Sequence, residues 1–193
     1  MLRRLYDWTL ALAAHRHAGG WLAAVSFIES AFFPIPPDIM LIPMVLAHRA
    51  KAWAYALICT LASVGGALMG YLIGYVLWES LGQPIIDFYN ATAAFDKFTG
   101  FYDAWGIWIV LAAAISFLPF KVATIASGVA GLAVGPFLLT SLIGRGIRFF
   151  TVAGLIYFFG PQIRALIDRY FNILSLAFIG LLLLGFLAIG ALR

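Results

Sequence analysis

Long runs of apolar residues dominate this sequence, in place of the short alternations typical of a soluble domain. Residues 52–78 contain no charged side chain over 27 positions, and residues 170–192 contain none over 23. About 20 consecutive apolar residues suffice for a helix to cross a bilayer. Each run therefore predicts a transmembrane helix, the second near the carboxyl end, and residues 137–160 predict one more that carries two arginines.

Two other apolar stretches, residues 26–47 and 106–136, are interrupted by prolines and charges. The interrupting residues are Glu29, Pro34, Pro36, Pro37, Asp38, Pro43, Pro119 and Lys121. Proline removes a backbone donor and disfavours helix at the residue before it. Irregular backbone at membrane depth is tolerated only inside protein or beside a cavity. We therefore predict two re-entrant hairpins, with a proline-kinked spanning helix as the alternative for the first.

The two interrupted stretches resemble each other enough to indicate an internal repeat. Pro36 and Pro119 are 83 residues apart, as are Asp38 and Lys121, and one long helix follows each stretch. Proline-interrupted segments at corresponding positions of two halves point to a transporter binding site. The predicted fold is all-α: a polytopic membrane protein with two inverted re-entrant hairpins, each followed by a transmembrane helix, plus a C-terminal transmembrane helix.

The predicted organisation has three parts. Residues 1–20 form an N-terminal interfacial segment, residues 21–160 a membrane domain, and residues 161–193 a polar link with the last helix. The membrane domain comprises a first half, an interfacial connector and a second half, at residues 21–80, 81–105 and 106–160. The connector is assigned because its aromatic residues recur at helical spacing among acidic ones.

Composition and charge narrow the class further. The chain is 64% hydrophobic and 10% charged, with a mean hydropathy of +1.03, which excludes a soluble domain. The net charge of +4 is spread along the chain, so no nucleic-acid partner is predicted. With both hairpins re-entrant, one side of the membrane carries seven basic and two acidic loop residues, and the other carries two basic and four acidic. This asymmetry predicts a cytoplasmic N-terminus.

Five ionisable residues remain within the membrane-length segments. They are Glu29 and Asp38 in the first half and Lys121, Arg145 and Arg148 in the second. Such residues are functional candidates by default. The surplus positive charge suits an anionic head group, because arginine binds phosphate bidentately. We therefore predict that the three bases bind substrate. The two acids are predicted to couple protons, because a carboxylate in a low dielectric gains proton affinity. A buried ion-pair network that only holds the halves together is the alternative.

Three glycines predict helix packing, and the absence of catalytic motifs bears on the chemistry. Gly66, Gly70 and Gly74 repeat every four residues and predict a helix-packing stripe. We find no Gly-x-Ser-x-Gly elbow and no histidine–carboxylate cluster, so no catalytic residue, metal or cofactor is predicted. Two functions compete with transport of a molecule that carries an anionic head group: a proton-coupled antiporter or exporter of small cations, and a structural assembly factor.

The order of these motifs resembles the DedA family of bacterial inner-membrane proteins, also called the SNARE-associated or VTT-domain family. The resemblance rests on Glu29 with the Pro34–Asp38 motif, on the glycine stripe, and on the motif Phe117–Lys121 followed by Gly128. It covers roughly residues 26–160 and is to the shorter branch, which has Pro-Phe-Lys as its second motif. It implies a multi-pass protein of the inner membrane that flips or scrambles undecaprenyl phosphate or phospholipids, with the proton motive force used by some members. A homo-oligomer is compatible with this assignment.

Overall fold

Helices make up most of the chain that the computed structural model describes. The described residues are 18–31, 36–82, 84, 88, 92–116 and 120–160. Every regular element among them is a helix, which confirms the all-α prediction. The predicted last helix over residues 170–192, most of the N-terminal segment, and the hairpin prolines Pro34 and Pro119 lie outside the described residues.

The described helices follow one pattern twice: a first helix, a helix of ten residues, and a long helix. In the first half these are α1 (Ala18–Ala31), α2 (Asp38–Ala47) and α3 (Ala52–Leu77). In the second half they are α4 (Thr92–Ile115), α5 (Phe120–Val129) and α6 (Val134–Gly160). A 3₁₀ turn at Arg49–Lys51 precedes α3, and a π-helical turn at Trp78–Gly82 follows it.

Three of these helical segments are long and apolar enough to cross a membrane. They are Arg49–Leu77, Phe95–Ile115 and Val134–Gly160. The two ten-residue helices are apolar as well, but at 1.5 Å per residue each is about 15 Å long. That is about half the thickness of the hydrocarbon core.

Proline sets the start of α2 but does not interrupt it. The N–H groups of Met40 and Leu41 donate to the carbonyl oxygen of Pro37 at 3.0 and 2.9 Å, so the helix begins directly after the proline pair. The sequence predicts an interruption at Pro43. That prediction is wrong, because Pro43 lies inside α2. Its missing N–H leaves the rest of the helix intact.

The predicted limit between connector and second half, at residues 105 and 106, lies inside α4, which runs unbroken from Thr92 to Ile115. Gly106 is the only helix-weakening residue at that point. One glycine costs a helix only about 1 kcal/mol relative to alanine, so packing decides the outcome. The hydroxyl of Tyr102, one turn earlier, donates to the carbonyl of Ala123 in α5 at 3.1 Å.

The glycine stripe of α3 lies against two neighbouring helices. A Cβ atom at Gly66 would overlap the carbonyl oxygen of Phe27 in α1, and one at Gly74 would overlap the carbonyl oxygen of Ile125 in α5. Gly70, between them, faces the hydroxyl of Thr124. Absent side chains therefore let three backbones approach closely.

The second half repeats the packing of the first. A Cβ atom at Gly144 of α6 would meet Ala114 and approach the carbonyl oxygen of Leu111 in α4. Gly66 of α3 faces two residues of α1 that are also three apart, Phe27 and Ser30. In each half, therefore, the end of the first helix packs against a glycine of the long helix.

Two hydrophobic clusters lie on either side of a polar layer. The first includes Leu22, Met44, Cys59, Phe149 and Ala153, and the second includes Ala67, Tyr71, Val110, Phe120 and Phe137. Along α3, the buried Ser63 separates Cys59 from Ala67, and along α6, the buried Arg145 separates Phe137 from Phe149. The polar layer thus lies near the middle of both long helices.

Candidate functional site

Two ion pairs connect α6 to the first interrupted stretch. Arg145 Nη2 lies 2.6 Å from Glu29 Oε2, and Arg148 Nη2 lies 2.6 Å from Asp38 Oδ2. The two arginines are three residues apart and so share one helix face. Glu29 comes from the end of α1 and Asp38 from the start of α2. Both predicted acids therefore meet two of the three predicted bases at one site.

Arg145 is the most enclosed member of this site. Its side chain is 0% exposed, and its Nε donates to the hydroxyl of Ser63 in α3 at 2.7 Å. Its Nη2 also approaches the hydroxyl of Ser30 at 3.4 Å, and that hydroxyl lies within hydrogen-bonding distance of Ser63. One guanidinium therefore joins α1, α3 and α6. Neither serine was singled out from the sequence, where each is only a small polar residue in an apolar helix.

Two aromatic rings pack against this guanidinium. Arg145 Cζ lies 4.9 Å from the centroid of the Phe120 ring and 4.7 Å from that of Phe149, within the range of cation–π attraction. Phe149 also lies 5.6 Å from Cζ of Arg148. Phe120 is the first residue of α5, so the second interrupted stretch reaches the same site. Its adjacency to Lys121 was the only sequence signal for this role.

The Arg148–Asp38 pair is more open than the Arg145–Glu29 pair. Side-chain exposures are 10% for Arg148 and 17% for Asp38, against 0% for Arg145 and 16% for Glu29. Asp38 is the first residue of α2, where the helix dipole favours a carboxylate. The second carboxylate oxygen of Asp38, Oδ1, has no hydrogen-bond partner among the described residues.

Lys121 stands beside this cluster and takes no part in either ion pair. It is half-buried, and no salt bridge joins it to an acid within the described ranges. Its carbonyl oxygen accepts a hydrogen bond from Thr124 at 2.9 Å. Its neighbour Phe120 packs on Arg145, which places the backbone of Lys121 next to the cluster.

The chain is similar in sequence to two bacterial proteins. It is 36% identical over 171 residues to an uncharacterized protein of Haemophilus influenzae, covering 89% of this chain and 88% of that protein. It is 36% identical over 176 residues to the uncharacterized protein HI0703 homolog of Histophilus somni, covering 91% of this chain and 89% of that protein. The chain belongs to the family of these two proteins. No family model and no solved structure matches it.

The shared region includes the whole site. Only 22 of the 193 residues lie outside the match to the Haemophilus influenzae protein, since 193 less 171 is 22. A continuous match of that length must contain residues 23–171, and with them both interrupted stretches. The match to the Haemophilus influenzae protein therefore spans the positions of all five ionisable residues.

The two prolines before α2 determine where Asp38 lies in the site. Pro36 is exposed and Pro37 is buried, and their carbonyl oxygens accept the first N–H groups of the helix. This places Asp38 at the helix start, pointing at Arg148. Among the residues that the structure describes, no three histidine, cysteine, aspartate or glutamate side chains are grouped as a metal would require.

Proposed function

We propose that this protein is a bacterial inner-membrane transporter that flips or scrambles an anionic lipid, either a polyprenyl phosphate or a phospholipid. One observation carries the proposal: each of the two acids pairs with an arginine near the middle of the long helices, and Lys121, next to Phe120 in the chain, has no acidic partner among the described residues. Lys121 thus leaves one positive charge unbalanced in a segment where unpaired charge is costly. An anionic head group would balance it.

The proposed architecture has both interrupted stretches re-entering the membrane from opposite sides. The ten-residue helices are too short to cross it. In α4, Asp96, Lys97 and Asp103 are all exposed, which favours a position outside the hydrocarbon. The twelve residues from Ala104 to Ile115 then span about 18 Å, little more than half of the core. The N-terminus is proposed to be cytoplasmic, as the loop charges favour.

In this proposal, a proton and the lipid phosphate exchange at the more open ion pair, Arg148–Asp38. Protonation of Asp38 would neutralise its carboxylate and weaken its bond to Arg148, so that a phosphate oxygen can compete for the guanidinium. Arginine binds phosphate through two parallel N–H donors, so the lipid phosphate can take the place that Asp38 leaves. Loss of the proton from Asp38 would restore the ion pair and release the head group.

The enclosed pair has a complementary role in this proposal. Arg145 keeps α1, α3 and α6 together through Glu29, Ser30 and Ser63, and together with Lys121 it supplies positive potential for the head group. Glu29 is 16% exposed and is proposed as a second proton carrier. The motif resemblance to the DedA family supports the same class of function.

Reconstituted lipid movement tests the proposal directly. The purified protein would be placed in vesicles that contain a fluorescent polyprenyl phosphate, the matching uncharged polyprenol, or ordinary phospholipids. We expect faster flipping of the phosphate than of the polyprenol, and an unchanged rate in Lys97→Gln, which removes an exposed charge outside the site. Equal rates for the phosphate and the polyprenol, or rates no higher than in protein-free vesicles, would contradict it. Proton movement driven by a small cation, without lipid movement, would favour the antiporter.

A further inference from the structure

Four buried polar atoms around the ion pairs have no hydrogen-bond partner among the described residues. They are Ser26 Oγ, Asp38 Oδ1, Ser141 Oγ and Arg145 Nη1. Leaving a buried polar group unpaired destabilises the folded protein, the more so when the group is charged. Native interiors therefore pair almost all such groups with protein or with ordered water. Four of them near one polar layer point to a shared ligand.

The two serines are informative because each could satisfy itself. A serine or threonine in a helix commonly donates to the carbonyl four residues earlier, as Thr60 does at 2.8 Å and Ser127 does at 2.7 Å. Ser26 and Ser141 are fully buried and make no such bond. The hydroxyl of Ser26 lies beside the thiol of Cys59, which is only a weak hydrogen-bonding group. Both hydroxyls therefore remain able to bind another group.

Their positions extend the polar layer at both ends. Ser26 lies one turn before Ser30 on α1, and Ser141 lies one turn before Arg145 on α6. Residues four apart share a helix face, so each hydroxyl lies on the face that carries a member of the Arg145 cluster. The layer thus has a donor or acceptor one turn beyond it on either helix.

The chemistry of the two charged atoms identifies the ligand. Arg145 Nη1 can only donate and Asp38 Oδ1, on an ionised carboxylate, can only accept. The two side chains belong to one cluster, because Arg148, three residues along α6 from Arg145, holds Asp38 by its other oxygen. A cation would be repelled by the guanidinium and an anion by the carboxylate. A small neutral molecule that accepts from one and donates to the other is required, and water is that molecule.

We propose that buried water binds between Arg145 and Asp38, joining the two ion pairs into one hydrogen-bonded network that Ser26 and Ser141 extend. Such water needs two to four polar partners, and the four unpaired atoms supply them. The network would couple the protonation state of Asp38 to the Arg145–Glu29 ion pair. That coupling rests on the proposed transport function, whereas the presence of the water does not.

Radiolytic labelling with oxygen-18 water tests the site in the intact protein. Hydroxyl radicals formed from bound water oxidise side chains beside it, so a buried ring next to the network reports on its hydration. Phe149 contacts both arginines, whereas Phe137 on the same helix belongs to the second hydrophobic cluster. Both are 0% exposed, and Phe137 lies two turns before Arg145, beyond the end of the network at Ser141, so the pair compares the centre of the network with its end. We expect several-fold faster oxidation of Phe149 than of Phe137.

Serine variants show whether the network holds that water. Oxidation of Phe149 should fall toward the rate of Phe137 in Ser26→Val with Ser141→Val, and remain at the wild-type rate in Thr60→Val, where the lost hydroxyl bonds to its own helix. Equal oxidation of Phe149 and Phe137 in the wild-type protein would overturn the proposal, whether or not the variants fold. Wild-type labelling of Phe149 in a protein that moves no lipid would refute the transport function and leave the water site standing.

Discussion

Replacement of Arg145 by methionine tests how strongly the enclosed ion pair joins α6 to the first half. The change keeps a long apolar side chain of similar length but removes the 2.7 Å bond to Ser63 and the 2.6 Å bond to Glu29. The Glu29 carboxylate would keep only the hydroxyl of Ser30, at 3.1 Å. A nearly buried charge would thereby lose its counter-ion.

The expected loss of stability follows from that orphaned charge. Removing one partner of a buried ion pair costs about 3–5 kcal/mol. For a chain of this length, 1 kcal/mol lowers Tm by about 2–4 °C, so Arg145→Met should lower Tm by roughly 6–20 °C. Arg148→Met is the matched control on the same helix face. Because Arg148 and Asp38 are both partly exposed, its decrease should be smaller.

Thermal unfolding in detergent, followed by intrinsic fluorescence, measures both variants. The double variant Glu29→Gln with Arg145→Met removes both charges and should recover most of the lost Tm, because an uncharged amide is far cheaper to bury than a carboxylate. A single Arg145→Met variant that melts within about 2 °C of wild type would refute the reasoning. So would a double variant no more stable than the single one.

Three further predictions concern packing, topology and the open ion pair. Gly74→Ala should destabilise the protein by about 1–3 kcal/mol, because the new Cβ overlaps a backbone carbonyl. The control Gly65→Ala should have little effect, because its Cβ meets only the Phe27 ring, at 3.4 Å. Equal Tm values for the two variants would contradict this packing. In a Cys59→Ala background, Ala50→Cys should react with an impermeant maleimide from the cytoplasm and Lys97→Cys from outside, and reaction of both from one side would exclude the inverted arrangement. Arg148→Lys should slow lipid flipping by about tenfold or more, since a charged hydrogen bond is worth about 1.5–3 kcal/mol, with near wild-type Tm; an unchanged rate would exclude a phosphate fork at Arg148.

The elements of the fold could be predicted because proline and charge mark them strongly. Pro37 and Asp38 locate the start of α2, and the uncharged run after Lys51 locates α3. The end of the connector could not be located. Glycine is typical of the ends of helices, but the cost of Gly106 inside α4 is too small to end that helix. Tertiary packing decides such cases.

The composition of the site could be predicted more fully than its pairing. Charges in apolar segments must find partners, so Glu29 and Asp38 were expected near the bases. Two acids and three bases allow several pairings, and no pattern indicates that residues 116 and 110 positions apart are joined. Phe120 could not be distinguished from a core residue, since an aromatic ring in an apolar helix has the same sequence appearance in either role.

The neutral double variant Asp38→Asn with Arg148→Gln tests most directly whether the open ion pair serves transport. It removes both charges together, so neither is left unpaired, and the helices that the pair connects should remain folded. The initial rate of polyprenyl phosphate flipping in vesicles should then fall to that of protein-free vesicles, while Tm stays close to wild type. A folded double variant that flips the lipid at the wild-type rate would show that these charges only hold the helices together, and would contradict the transport account.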